Sequence, residues 1–426
     1  MTRWFTRGLT LGLVASGALA GCAADPPAIG DGPPQGEASD LVVRARDIHE
    51  RVLTIDTHDD IPLNFATAEV DPGLIGARQV DLPKMEAGGL DAGFFVVYVG
   101  QTERTPENYA RAQVDAMTKF DAIRRMTDEL YPDRIGLAYR ADDFVEIAAE
   151  GRLVAAIGIE NGYVIGQDLA LISTYFDLGA RYFGLVHNGH NDIADSASPR
   201  PELGDAPSEH GGLSSFGVEV VAELNRLGMM IDVSHASRAA MLEATRLSRA
   251  PVIASHSSVR ALADHPRNLD DEQLRALADN GGVMQTVALG AFVSEAEAAR
   301  SAAVDALREE FGLAPWGGAD ALPADRRVRF DARMADIDRT WPRADVATFV
   351  DHVDYAVQLI GIDHVGISSD FDGGGGVVGW NDASETFNVT LELVRRGYGE
   401  EEIALLWGGN LLRVLREVER VAASSP

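Results

Sequence analysis

Apolar, strand-like runs that each stop on a histidine or a carboxylate recur along this chain, and that recurrence limits its fold more than any other feature. The first is Val52-Leu-Thr-Ile-Asp-Thr-His-Asp-Asp60, a buried-strand pattern ending on His58 and Asp60. Side chains two apart on a strand share one side, so both can reach a single cation. Taken alone, a His-x-Asp of this kind is also an ordinary strand running into an Asp-rich turn. Further runs repeat the pattern, from Leu153 to Glu160, Met229 to His235, Pro251 to His256 and His364 to Asp370.

Strand-like runs fall near 52–58, 92–99, 153–159, 182–186, 229–234, 251–255, 282–287 and 364–369. Amphipathic helical stretches alternate with them, notably 107–130, 141–150, 168–179, 217–228, 237–249, 270–280 and 346–361. Eight repeats of strand and helix predict a (β/α)8 TIM-type barrel, with a doubly wound sheet as the alternative. The strands are apolar without alternation, as parallel strands covered on both faces are. The connection from Phe292 to Ala344, with Pro315-Trp316, Pro323 and Arg326-Arg327-Val-Arg329, interrupts the rhythm. A loop of that length at the strand-end face reads as a lid or cap, or else as a surface insertion without a role. Thr386 to Ala422 reads as a helical extension broken at Gly408-Gly409-Asn410, so the barrel domain is expected over 41–422.

Composition narrows the partners. Lys plus Arg is 37 against 66 Asp plus Glu, and the net charge of −29 repels nucleic acid and anionic membrane surfaces. Arg3, Arg7 and the apolar run from Leu9 to Ala20 read as a signal peptide over 1–21, too short in its apolar part to span a bilayer as a mature helix. Leu19-Ala20-Gly21-Cys22 resembles the lipobox of bacterial lipoproteins, in which the cysteine is lipidated and becomes the new N-terminus. Residues 22–40 then read as the lipidated Cys22 and a flexible tether rich in Pro, Gly and Ala. The expected location is the cell envelope, on the periplasmic side of the outer membrane because Ala23 rather than Asp follows the cysteine, with membrane contact only through the lipid. A homodimer is compatible with this reading. Cys22 is the only cysteine, so no intrachain disulfide, thiolate ligand or cysteine nucleophile is available, and any metal site must use His and carboxylates.

In a parallel barrel the active site forms where the strands end. His58, Asp60, Glu160, His235 and His256 all fall there, a nitrogen and oxygen donor set suited to zinc, manganese, cobalt or nickel. Five ligands exceed the usual three of one catalytic zinc but suit two ions if Glu160 bridges them. One would take His58, Asp60 and Glu160, and the other Glu160, His235 and His256. Ions about 3.5–4 Å apart can share a hydroxide at near-neutral pH. Asp370, left over once the ligands are assigned, reads as a proton shuttle towards the leaving amine, with a cap on the Gly373–Gly376 loop as the bland alternative. His187 can donate a hydrogen bond to a developing oxyanion. His190 and Asp372 read as structural.

These residues resemble the membrane dipeptidase (renal dipeptidase) family of the amidohydrolase superfamily. The resemblance runs from about Leu41 to Val421 and rests on Asp56-Thr-His-Asp-Asp60, Ile157-Gly-Ile-Glu160, the His187 segment, Met230-Ile-Asp-Val-Ser-His235, Pro251-Val-Ile-Ala-Ser-His-Ser-Ser258, Arg267-Asn268 and Ser369-Asp-Phe-Asp-Gly373. It implies a barrel with a binuclear zinc centre on the five ligand positions, hydrolysing dipeptides, with His187 and Arg267 on the substrate and Asp370 as acid and base. Relatives often accept a D-residue on the C-terminal side, and some open β-lactam rings. This chain departs from many relatives in carrying Asn161, where they have Gly, after the bridging glutamate. A lactonase or phosphotriesterase is the rival enzyme, but its metals are commonly bridged by a carboxylated lysine at a strand end. The only lysines, Lys84 and Lys119, fall elsewhere. The rival from another class is a lipid-anchored binding protein that holds metal without turnover.

Overall fold

Runs rich in Val, Ile, Phe and Ala are buried along almost their whole length and pair in parallel, as strands covered on both faces must. The computed structural model describes residues 35–313, 319 and 322–424. Its strands are β1 Ile55–Asp60, β2 Ala92–Tyr98, β3 Ile135–Leu137, β4 Leu153–Glu160, β5 Ala180–Gly184, β6 Met230–Asp232, β7 Ile253–Ser257, β8 Val283–Val287 and β9 Val365–Ser368. They run side by side in the order β1-β2-β4-β5-β6-β7-β8-β9. The ring closes where Asp60 N donates to Phe371 O at 2.9 Å and Ser369 N donates to the Asp56 carboxylate at 2.9 Å. This is the expected barrel of eight parallel strands. The doubly wound alternative would leave β1 and the end of β9 apart.

Three details depart from expectation. β3 was not foreseen: three residues are too short for periodicity to reveal, and they share one edge of β4, with β3 on its start and β5 on its end. The connection from Phe292 to Ala344 is not an irregular loop. It holds the helices Glu295–Phe311 and Ala324–Thr340, packed through Leu307, Phe311, Phe330 and Ile337, while Pro315 and Trp316 lie outside the described residues. At the C-terminus the break falls at Gly397, whose φ of 95° ends the helix Phe387–Arg396. Gly408 and Gly409 instead sit in a π-turn, Leu405–Gly409, that leads into the helix Asn410–Ala423.

That last helix has a defined seat. Its Leu411, Leu415 and Val418 pack with Ile55, Ala92, Val154, Met230, Ile253 and Val283, which stand at or near the starts of their strands. The helix therefore plugs the N-terminal mouth, and only the C-terminal mouth is left to hold a site. Leu9–Ala20 and Cys22 lie outside the described residues, and the helix Gln35–His49 begins within the stretch read as tether, where no proline follows Pro34. Among the described residues no helix is long and apolar enough to cross a membrane. The compact body that carries the site starts at Leu41.

Candidate metal centre and active site

All five residues read as ligands meet at the open mouth. Glu160, the last residue of β4, is buried at the centre. Its Oε1 lies 3.1 Å from His235 Nε2, 3.5 Å from His256 Nε2 and 3.7 Å from His187 Nε2, and its Oε2 lies 3.6 Å from His58 Nε2. His58 Nε2 is also 3.6 Å from Asp60 and 3.9 Å from Asp370. Irregular register helps to aim these groups. The β1–β2 pairing slips between Asp56 and Asp59, around His58, and the β7–β8 pairing slips between Ala254 and Ser257, around His256. Such bulges rotate a side chain relative to regular pleating. His235 and Asp370 lie beyond the ends of β6 and β9 with φ of 65° and 58°, left-handed conformations that cost a non-glycine residue of order 1–3 kcal/mol and that cluster at functional sites.

The imidazoles are held from behind. Ser255 Oγ donates to Asp232 at 2.6 Å, so at its 2.8 Å contact it accepts the Nδ1 proton of His256. His235 Nδ1 donates to Asn188 Oδ1 at 3.1 Å. Tyr182, whose hydroxyl donates to Thr57 O at 3.2 Å, accepts from His58 Nδ1 at 3.0 Å. The network thus assigns the proton of each ring to Nδ1 and leaves the Nε2 lone pairs facing inwards. Burial, reinforced by Arg267 and neighbouring imidazoles, holds His235 and His256 well below the usual histidine range, so both are neutral. Their Nε2 atoms nevertheless stand 2.9 Å apart with no proton between them, and the buried His58 Nε2 has no hydrogen-bond partner. Facing lone pairs and an orphaned buried nitrogen beside carboxylates are what a cation would satisfy.

The electrostatics agree. Burial would raise Glu160, but His187, His58 and His235 hold it well below the usual carboxylate range. Burial would lower His58, yet Glu160 and Asp60 pull it well above 6.5, so these carboxylates demand positive charge at its Nε2. Three groups of ligand atoms lie within 4.8 Å of one another: His58, Asp60 and Glu160; Glu160, His235 and His256; and His58, His256 and Asp370. The first two match the expected pair of sites that share Glu160. The third admits Asp370 as a ligand rather than a proton shuttle alone.

Around this cluster lies a cavity of about 950 Å³. Arg267 lines it, buried, with Nη2 donating to His256 O at 3.1 Å, its guanidinium over the Phe292 ring at 5.4 Å and its Nε without a partner. Phe292 and Asp305 bring the helical insertion into the wall, which favours the lid-or-cap reading of that segment over the surface one. His187 lies tilted against His235, with ring centroids 4.1 Å apart, and meets the edge of Tyr98 at 4.8 Å. His190 is tied off structurally, with Nε2 on Ala206 O and Nδ1 accepting from Ser196 N. Asp372 is structural too, but it holds the Gln79 and Val80 amides and Arg78 rather than the glycine loop. At Asp370 it is the backbone carbonyl that accepts from Gly373 and Gly375. Its carboxylate is therefore not the cap of that loop.

Asn161 has φ of 77°, a conformation glycine adopts freely, and its side chain compensates by bonding Val99 O, Gln101 and Tyr163 N. Lys84 pairs with Asp81 and Asp382, away from the cluster. Lys119 is the residue the sequence left unmarked. It lies in the helix Pro106–Arg124, as its spacing predicted, yet its side chain is buried on the cavity wall.

A parallel barrel with imidazole and carboxylate donors converging at its C-terminal mouth is the frame of a metal-dependent hydrolase. The sequence pattern of the membrane dipeptidase family (Peptidase family M19) matches residues 42–426, and the chain belongs to that family. It is 33% identical over 353 residues to the dipeptidase tcpJ of Claviceps purpurea, covering 82% of this chain and 71% of that protein. The crystal structure of the probable dipeptidase PvdM from Pseudomonas aeruginosa matches with a TM-score of 0.80 and 37% identity, over 90% of this chain and 100% of that one. A metallopeptidase from Rhodobacter sphaeroides, crystallised with a phosphinate mimic of the dipeptide L-Ala-D-Ala, shares the fold at a TM-score of 0.67 and 23% identity, over 86% of this chain and 99% of its own. The protein is thus a metallodipeptidase.

The hydrogen-bonded support behind His256 can be tested without touching a ligand. Ser255→Ala removes the acceptor that fixes the Nδ1 proton and should weaken divalent-metal affinity by about 10–100-fold. Competition against a chromogenic chelator reads this directly, and unchanged affinity would refute the tautomer assignment.

Proposed function

We propose that this metallodipeptidase cleaves dipeptides at two divalent cations, one held by His58, Asp60 and Glu160 and the other by Glu160, His235 and His256. The observation that carries the proposal is the set of inward-facing Nε2 atoms of His58, His235 and His256 around the buried carboxylate of Glu160. Zinc is favoured because it accepts nitrogen and oxygen donors in open sites without needing thiolate. Bound there, the cations would supply a water acidified to a pKa of about 7 and positive charge for the scissile carbonyl.

The remaining chemistry falls to the chain itself. Burial first, then the nearby Asp60 and Glu160, pushes the Asp370 carboxyl well above its usual range against the pull of His58 and Arg267, which suits a group that must take a proton and give it back. It takes one from the attacking water and delivers it to the amine nitrogen as the C–N bond breaks. His187, kept below the ordinary histidine range by burial, donates to the oxyanion. Arg267 grips the free C-terminal carboxylate through two parallel hydrogen bonds, the feature that separates a dipeptide end from the interior of a longer peptide. The Rhodobacter sphaeroides protein carries an L-Ala-D-Ala mimic, so dipeptides with a D-residue at the C-terminal position are the first to assay.

The N-terminal reading belongs to the same proposal: cleavage before Cys22, lipidation of that cysteine and anchoring in the outer membrane on the periplasmic side. Cys22→Ser should move the protein from the membrane to the soluble fraction or block its maturation. Equal fractionation of both forms as soluble protein would end the lipoprotein reading.

Two experiments address the chemistry. Asp370→Asn should keep about two metal ions per chain and lower kcat by about 10²–10⁴-fold. Loss of metal would make Asp370 a ligand, as its grouping with His58 and His256 allows, and normal turnover would make it a bystander. Arg267→Ala should cost about 1.5–3 kcal/mol in kcat/KM on a dipeptide and far less on its C-terminal amide. An equal loss on both substrates would show that Arg267 does not read the carboxylate.

A further inference from the structure

Lys119 is a cation without an assigned task. Among the described residues its ammonium makes no hydrogen bond or ion pair, and its one specific contact is the face of the Tyr98 ring at 5.4 Å. It is only 5% exposed and lines the same cavity as Glu160, His187 and Arg267. An ammonium has three donors, and an aromatic face on one side cannot satisfy them all. Burying it so poorly paired is costly, and a methionine would fill the same space without that cost.

The carboxylates that act on it most strongly, Asp60 and Glu160, pull against its burial, but neither reaches ion-pair distance and both are assigned to the proposed cations. Arg78 is already engaged with Asp372 at 3.2 Å and with Asp60 O. Asp115, one helical turn before Lys119, is half-buried, and Asp305 of the insertion is exposed. Both line the cavity nearer to water, where solvent screens them, and neither reaches ion-pair distance of Lys119. Beside the Asp60, Glu160 and Asp370 carboxylates of the cluster, the cavity thus has Asp115 and Asp305 nearer to water and, in its wall, an ammonium without an ion-pair partner.

A chain of ring contacts connects that ammonium to the imidazoles around Glu160. Tyr98 meets His187 at 4.8 Å, His187 meets His235 at 4.1 Å, and His235 meets His256 at 5.0 Å. Lys119 sits on the Tyr98 end and Arg267 on the His256 end. Glu160 lies between, within 3.7 Å of the Nε2 of each of these three imidazoles. A dipeptide with its carboxylate on Arg267 and its scissile carbonyl above Glu160 extends its N-terminal residue towards Tyr98 and Lys119. The α-ammonium of that residue is repelled by Lys119, so the group that meets it is the side chain.

We infer that Lys119 is a specificity residue that selects dipeptides whose N-terminal residue carries a carboxylate side chain, aspartate or glutamate. The inference rests on the dipeptidase reading above. Its contact is a charge-assisted hydrogen bond formed out of bulk water, which a neutral isostere of the substrate cannot reproduce.

The test compares Glu-Ala, Gln-Ala and Ala-Ala on the full, metal-loaded protein and on Lys119→Met. The wild type should prefer Glu-Ala over Gln-Ala in kcat/KM by about tenfold or more, and Lys119→Met should bring that ratio close to one. Metal content and the thermal melt report that the variant is folded. If the variant does not fold, the wild-type ratio still decides, because equal rates on Glu-Ala and Gln-Ala overturn the role of Lys119. A loss of similar size on all three substrates in the variant overturns it too, and would mean that Lys119 only balances the Asp60 and Glu160 carboxylates. Failure of the wild type to cleave any of the three overturns the dipeptidase reading itself, and this inference with it.

Discussion

Everything at the open mouth of this barrel depends on one buried carboxylate. Glu160 has imidazole nitrogens facing both of its oxygens, and burial alone would force it to take up a proton. It stays ionised only because positive or polarisable partners surround it, and the partners stay aimed only because a second ring of hydrogen bonds holds them. Asp232 fixes Ser255, Ser255 fixes His256, Asn188 fixes His235 and Tyr182 fixes His58. These supporting groups come from β5 and the loop after it, β6 and β7, so neighbouring strands of the ring set the positions of the donor atoms.

The centre was legible in the sequence because parallel strands deliver their C-terminal ends to one face, and a ligand at a strand end needs no tertiary information to be suspected. His58, Asp60, Glu160, His235 and His256 are marked as candidates this way, and the structure brings all of them together. What the sequence could not give is equally specific. β3 is too short to carry a period, and the helices between Phe292 and Ala344 were hidden because prolines and glycines between them resemble loop composition. Asn161 stands where many relatives have glycine, and its φ of 77° supplies the reason that glycine suits the position, a backbone reason that the sequence does not display.

Lys119 shows the limit most clearly. A lysine in the middle of an amphipathic helix reads as a solvated face, and helical spacing alone cannot reveal that the face turns towards a cavity. Only packing against Tyr98 exposes the difference. The signal available beforehand was scarcity: with just two lysines in the chain, one of them inside a helix with alanine and phenylalanine neighbours, its retention there asked for a reason.

The way the barrel closes also governs how it can form. The hydrogen bond between Asp56 and Ser369 spans 313 residues, and the helix that seals the opposite mouth is the last one, Asn410–Ala423. Loop-closure entropy must be met before such distant contacts return any stability, so the ring forms late and slowly compared with its βα units. Until the final helix is available, the apolar starts of β1, β2, β4, β6, β7 and β8 lack the Leu411, Leu415 and Val418 side chains that pack with them. A chain emerging from a ribosome or a translocation pore therefore passes through a long interval with a sticky, open-ended core, and its last segment acts as the stopper that ends its exposure to aggregation.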